Sequence, residues 1–194
     1  MNEPGSSARN QPSDGAAAHS LISLLKADLL RLSPSAGVFR FFYLFLLHPG
    51  FKAVVYYRLA HWFYLKRIKL LPAILKVMSV SRTGAELYSE CRIGPGLLIY
   101  HPVGVVIGRG AVIGAGATIH QNSTIGEANS HSGGAAYPTI GNNAFICAGA
   151  VLIGSIVVGD DAIIGANSVV RDDVPEKTTV AGVPARIVRD RRTS

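Results

Sequence analysis

The chain has 194 residues, a formal net charge of +7, 48% hydrophobic and 16% charged residues, a balance that excludes a wholly disordered protein. Its 21 Gly and 10 Pro are too many for a helical bundle and call for many tight turns. Cys91 and Cys147 lack metal-ligand spacing and are too few for a disulfide framework, so a reducing, cytoplasmic compartment is the default and no metal site is expected.

A basic balance suits anionic partners. The basic residues are scattered through 26–92 and recur at Arg186, Arg189, Arg191 and Arg192. No base-stacking signature accompanies them, so nucleic acid is not an expected partner. Residues 1–20 lack bulky apolar side chains and read as a disordered tail without the apolar core of a signal peptide.

Residues 21–85 read as an α-helical region. LISLLKADLLRL carries apolar residues at spacings of three and four, SPSAG at 33–37 breaks the pattern, and HPG at 48–50 marks a second boundary. The next segment, FKAVVYYRLAHWFYLKR, is apolar nearly all round and should be buried against something larger. Pro72 opens or interrupts a last helix. The apolar stretch at 41–51 is too short to cross a bilayer, which takes about 20 residues. Its basic surroundings read first as a solvated face, with peripheral contact at the inner face of a membrane as the alternative. Burial in an oligomer would explain the aromatic residues equally well.

From 86 to 175 the period changes to six. Positions 107, 113, 119, 125, 140, 146, 152, 158, 164 and 170 are all Ile, Leu or Val. Four residues after most of them stands a small residue, as at Ala111, Ala117, Ser123, Ala144 and Ala150, and Gly commonly follows the aliphatic directly. One hexad is a short strand and a turn, and three hexads close a triangular coil. Stacked coils make a parallel β-helix, with aliphatics inside, small residues in the corners and Gly relieving strain at the turns. Two irregularities break the beat. The step from Ile99 to Ile107 is eight and carries His101, and a Gly- and Ser-rich loop is extruded at 127–139. Irregularities on a rigid scaffold are where a site is expected. Residues 176–194 form a C-terminal segment.

The hexads, together with HPGF, YRLAHW, HPVGVVIG and SVVRDDVPEKTTVAGVPARIV, resemble the left-handed β-helix (hexapeptide-repeat) acyltransferases, and among them the serine O-acetyltransferases. The resemblance covers about 21–188. It implies left-handed coils, acetyl-CoA as co-substrate, and a homotrimer, with a hexamer as the alternative, whose active sites lie between neighbouring prisms. It places the catalytic base at His101 and the coenzyme along Gly126, Ala148, Gly149 and Ala166, with Arg186 toward the CoA phosphates. Cys147 stands where the family commonly has Gly and reads as packing.

Four positions depart from the family. Tyr100 replaces an Asp before the catalytic His, Tyr137 and Ala136 replace a second His and the Arg preceding it, and Ser33 replaces an acidic residue. These groups would orient the imidazole and hold the charges of serine, and an unpaired substrate charge is costly. The expected acceptor is therefore a hydroxyl of a sugar or polysaccharide, touched by Tyr100, Tyr137, His120 and His131. The alternatives are serine O-acetylation with an altered clamp and a catalytically silent scaffold. The acceptor to orient His101 is a backbone carbonyl, Glu127 or Tyr137. His48 and His61 read as helix-packing residues.

Overall fold

A computed structural model describes residues 19–34, 37–128 and 136–192. The expected tail, His131 and most of the extruded loop lie outside the described residues. The helical region holds α1 (Leu21–Leu30), α2 (Val38–Leu47), α3 (Pro49–Leu65) and α4 (Leu70–Thr83). Each boundary has a local cause. The Ser20 side chain caps α1 by accepting from the Ser23 amide, Pro49 opens α3 at its first turn, and Gly84, at φ 75, ends α4.

Beyond α4 the chain winds as a left-handed parallel β-helix with three walls. Numbered in chain order, the first wall holds β1 (Glu86–Leu87), β4 (Val106–Ile107), β7 (Thr124–Gly126), β10 (Val151–Ile153) and β13 (Val169–Val170). The second holds β2 (Arg92–Ile93), β5 (Val112–Ile113), β8 (Thr139–Ile140) and β11 (Val157–Val158). The third holds β3 (Leu98–Tyr100), β6 (Thr118–His120), β9 (Phe145–Ile146), β12 (Ile163–Ile164) and β14 (Thr178–Ala181). On that wall β15 (Arg186–Asp190) folds back antiparallel to β14.

The hexad rule is visible in the core. Ile107, Ile119, Ile125, Ile146, Leu152 and Ile164 are all 0% exposed, as are the corner residues Ala111, Ala117, Ser123, Ala144 and Ala150. Gly114, Gly141 and Gly159, after the aliphatics of the second wall, have a different cause from the turn strain expected of them. A Cβ on Gly114 would stand 2.7 Å from the Gly141 carbonyl carbon, and one on Gly159 would be driven into the Glu176 backbone. Between the second and third walls the coils approach too closely for any side chain on this column.

The helices dock on the first coil through α3. Ala53, Val54 and Tyr57 are buried in the same core as the first coil, and a Cβ on Gly50 would overlap the Ile99 carbonyl oxygen. A buried ion pair ties the two regions together. Arg58 Nε donates to Asp28 Oδ2 at 2.8 Å, and the same guanidinium donates to the Ile93 and Gly94 carbonyls, each at 2.6 Å. Asp28 Oδ1 in turn accepts from the Leu97 amide at 2.9 Å.

Candidate active site

The turn between the third and first walls repeats a left-handed residue in each coil. Gly104, Asn122, Gly149 and Asn167 have φ of 74, 57, 71 and 54. Their column is laddered by Asn122 N to Val103 O, Gly149 N to Gln121 O and Asn167 N to Ala148 O, each at 2.9 Å. Gly104 is therefore the regular corner of the first coil. His101, at φ 54, is an additional left-handed residue in the two-residue insertion. A non-glycine side chain is held there at a cost of about 1–2 kcal/mol, with His among the residues that tolerate it better. The result is an exposed imidazole standing off the corner.

Four other rings gather beside it. Tyr100 stacks on His120 with centroids 5.2 Å apart, and His120 faces Phe145 at 5.1 Å, forming an aromatic row along the outside of the third wall. The outward placement of His120 agrees with the hexad register, because the preceding residue, Ile119, points into the prism. His120 Nε2 is buried and has no hydrogen-bond partner among the described residues. The fourth ring is His48, at the junction of α2 and α3. Its Nδ1 accepts from the Phe51 amide at 3.1 Å, which leaves the proton of the neutral ring on Nε2.

Sequence reading assigned His48 to helix packing. It does cap α3, but the docking of Gly50 on Ile99 also carries it to the histidine cluster. The signal that could have found it is HPGF itself, since the Gly marks a close backbone approach. Burial lowers the pKa of both His48 and His120, and the charge of His101 lowers both further. At His61, whose Nδ1 lies 2.7 Å from the Ser89 carbonyl, burial again lowers it.

These shifts predict a pH effect on stability. All three rings bind a proton less readily folded than unfolded, where the pKa is 6.5. Well above that pH both states are neutral and nothing changes. Below 6.5 the unfolded chain takes up protons first, so stability falls with pH until the lowered folded values are passed. Melting temperatures measured downward from pH 7.5 should therefore drop once 6.5 is crossed. The drop should be shallower in His48→Gln.

Other expected site residues lie elsewhere in the chain. Tyr137 and Glu127 flank the turn between the first and second walls, a different edge of the prism, where Tyr137 Oη donates to Glu127 Oε2 at 3.0 Å. The Tyr137 ring covers Gly108 and Gly110, and an antiparallel bridge between Ala128 and Ala136 pins the loop ends. Within one chain Tyr137 and Glu127 therefore stand on a different edge from His101. Ala148, Gly149 and Ala166 belong to the His101 edge, whereas Gly126 closes β7 on the first wall. Arg186 is exposed and lies 3.4 Å from Asp172. Burial pushes the Cys147 thiol up, which suits packing rather than nucleophilic attack. A cavity of about 730 Å³ lies away from this cluster, between the α3–α4 turn and the first coil, lined in part by Tyr64, Lys76, Tyr88 and Arg109.

Comparisons with known proteins bear on this geometry. A family model described as bacterial transferase hexapeptide (six repeats) matches residues 137–172, and one described as hexapeptide repeat of succinyl-transferase matches 89–121. The chain is 41% identical over 143 residues to a serine acetyltransferase of Synechococcus elongatus, covering 74% of this chain and 58% of that protein. A serine acetyltransferase of Helicobacter pylori is 40% identical over 147 residues, covering 75% of this chain and 85% of the relative. Soybean serine acetyltransferase complexed with serine superposes with a TM-score of 0.78 at 37% identity, over 87% of this chain and 69% of that one. A serine acetyltransferase complex with CoA gives 0.76 at 32% identity, over 87% and 69%.

These relatives overturn the expectation of a sugar acceptor. That expectation rested on four side chains, at 33, 100, 136 and 137, whereas the likeness to serine acetyltransferases extends over 74% of the chain in sequence and 87% in structure. The physical flaw lay in reading lost groups as a new specificity. Removing a clamp residue alters how an acceptor is held and does not by itself select a different class of acceptor. Tyr100 and Tyr137 bring hydroxyls able to bond a small polar acceptor.

Proposed function

Since the chain belongs to the serine acetyltransferase family, we propose that it transfers the acetyl group of acetyl-CoA to the hydroxyl of L-serine. The observation that carries this reading is the extra left-handed residue at His101, which stands outside the repeat and exposed at the edge that also bears Ala148, Gly149 and Ala166. A hydroxyl is a weak nucleophile until a base removes its proton during attack. His101 would take the serine Oγ proton as oxygen attacks the thioester carbon. The tetrahedral oxyanion would be met by backbone amides of the corner. Collapse breaks the carbon–sulfur bond, and the imidazolium returns its proton to the departing thiolate, giving O-acetylserine and free CoA without an acyl-enzyme.

The small residues of the corner leave a smooth edge along which a pantetheine arm can lie, with Arg186 toward the phosphates. Because the edges bearing His101 and Tyr137 differ, the reading includes a homotrimer in which a neighbour's Tyr137 and Glu127 face His101. The acceptor would then be held between two copies.

The test measures thiol released from acetyl-CoA by the purified protein. L-serine is expected to support saturable turnover, at a median enzyme rate of about 10 per second. Absence of release with L-serine at millimolar concentration would overturn the reading.

A further inference from the structure

The helical region carries surface charge of one sign only. Between residues 15 and 85 the single acidic residue is Asp28, which is 0% exposed and closed off by Arg58. Over the same span Lys26, Arg31, Lys66, Arg67, Lys69 and Arg82 are all exposed. The exposed carboxylates of the described residues belong to the β-helix and the C-terminal segment, at positions such as Asp160, Asp172 and Asp173.

This cationic region also presents an apolar stripe to solvent. On α2, Val38, Phe42 and Leu46 fall in one row and Phe39, Tyr43 and Leu47 in the next, and all six are exposed. Phe39 reaches 84%, Phe42 57% and Leu46 65%. The opposite side of α2, through Phe41, Leu44 and Phe45, packs with Leu29, Phe51 and Val55. Cations border the stripe. Lys26 shares a shallow apolar pocket with Ile22 and Val38, the Arg40 guanidinium lies 5.2 Å from the Tyr43 ring centroid, and Lys52 Nζ donates to the Leu46 carbonyl at 3.2 Å.

A continuous aromatic and aliphatic stripe, bordered by Lys and Arg and free of carboxylates, is the composition that partitions into an anionic lipid interface. Pairing this face with its own copy would set cation against cation. Among the described residues no single helix is long and apolar enough to cross a membrane, and α3 turns 108° away from α2 to bury itself against the solenoid. The geometry is that of a helix lying on a surface.

We propose that α2 docks on an anionic bilayer, with Phe39, Phe42 and Leu46 entering the upper acyl region and Lys26, Arg40 and Lys52 meeting lipid phosphates. Docking holds the first coil, and with it His101, close to the membrane plane.

The experiment floats the full-length protein with vesicles of phosphatidylcholine alone or with about one third phosphatidylglycerol, at ~0.1 M salt. Binding is expected with the anionic vesicles and much less with phosphatidylcholine alone, and it should be weakened by raising salt to ~0.5 M. The double variant Phe39→Glu, Phe42→Glu should lower anionic-vesicle binding about tenfold or more, with thiol release from acetyl-CoA unchanged. The proposal is overturned if the parent ignores anionic vesicles, if it binds both vesicle types equally, or if the variant binds like the parent. It is also overturned if the variant changes the mass of the assembly without lipid, because that assigns the stripe to contact between copies. The unchanged thiol release keeps this result separate from the acceptor assay.

Discussion

Replacing His101 with alanine is expected to lower turnover by about 10²–10⁴-fold, the usual contribution of a positioned general base. Affinity for acetyl-CoA should change little, because the imidazole acts on the hydroxyl proton and the corner amides are untouched. Alanine also adopts a left-handed φ poorly, so a loss of activity in this variant alone would mix strain with chemistry. His101→Asn separates them. Asparagine accepts that backbone conformation readily, as Asn122 and Asn167 do in the regular corners. It supplies no base, so it should be as inactive as the alanine variant while melting close to the parent. The measurement is kcat and KM for both substrates, with melting temperature alongside. An Asn variant turning over at the parental rate would remove His101 from the chemistry.

Arg58→Met is expected to destabilise the fold by about 3–5 kcal/mol, since it strands a buried carboxylate. Asp28 is 0% exposed and Arg58 1%, so water cannot replace the lost partner. The guanidinium also satisfies the carbonyls of Ile93 and Gly94, which would lose their donors. Adding Asp28→Leu should recover part of the loss by removing the isolated charge, though the Leu97 amide then loses its acceptor. Urea unfolding of the parent, single and double variants reads both effects. A single-variant loss below about 1 kcal/mol would show that the pair is dispensable to the docking of α1 and α3 on the first coil.

The solenoid was legible because its period is written in every turn. A residue that must be aliphatic at Ile107 must be so again at Ile113 and Ile119, and the small residues that fill the corners repeat just as strictly. His101 stood out for the opposite reason, as the residue inside one of the two steps that depart from six. What the sequence hid was tertiary. His48 reaches the site only because Gly50 lets α3 touch Ile99, and Asp28 and Arg58 look like ordinary solvated charges until two helices and a coil close around them. The glycines after each aliphatic were assigned to turn strain. The left-handed turns fall instead on Gly104, Asn122, Gly149 and Asn167, while Gly114 and Gly159 answer to crowding between coils. The acceptor was misread for a related reason. Four substitutions describe what a clamp has lost, and only the surrounding residues can say what has taken its place.

The stacking of the coils has a consequence for how such a molecule can vary in length. Val151 lies over Thr124 and under Val169, and Ile163 lies between Phe145 and Thr179, so each storey touches only those directly above and below. Duplicating Val151 to Ser168 would raise the prism by one storey, ~4.8 Å, and carry Arg186 that much farther from His101. The span from reacting centre to tail can therefore be altered only in whole steps.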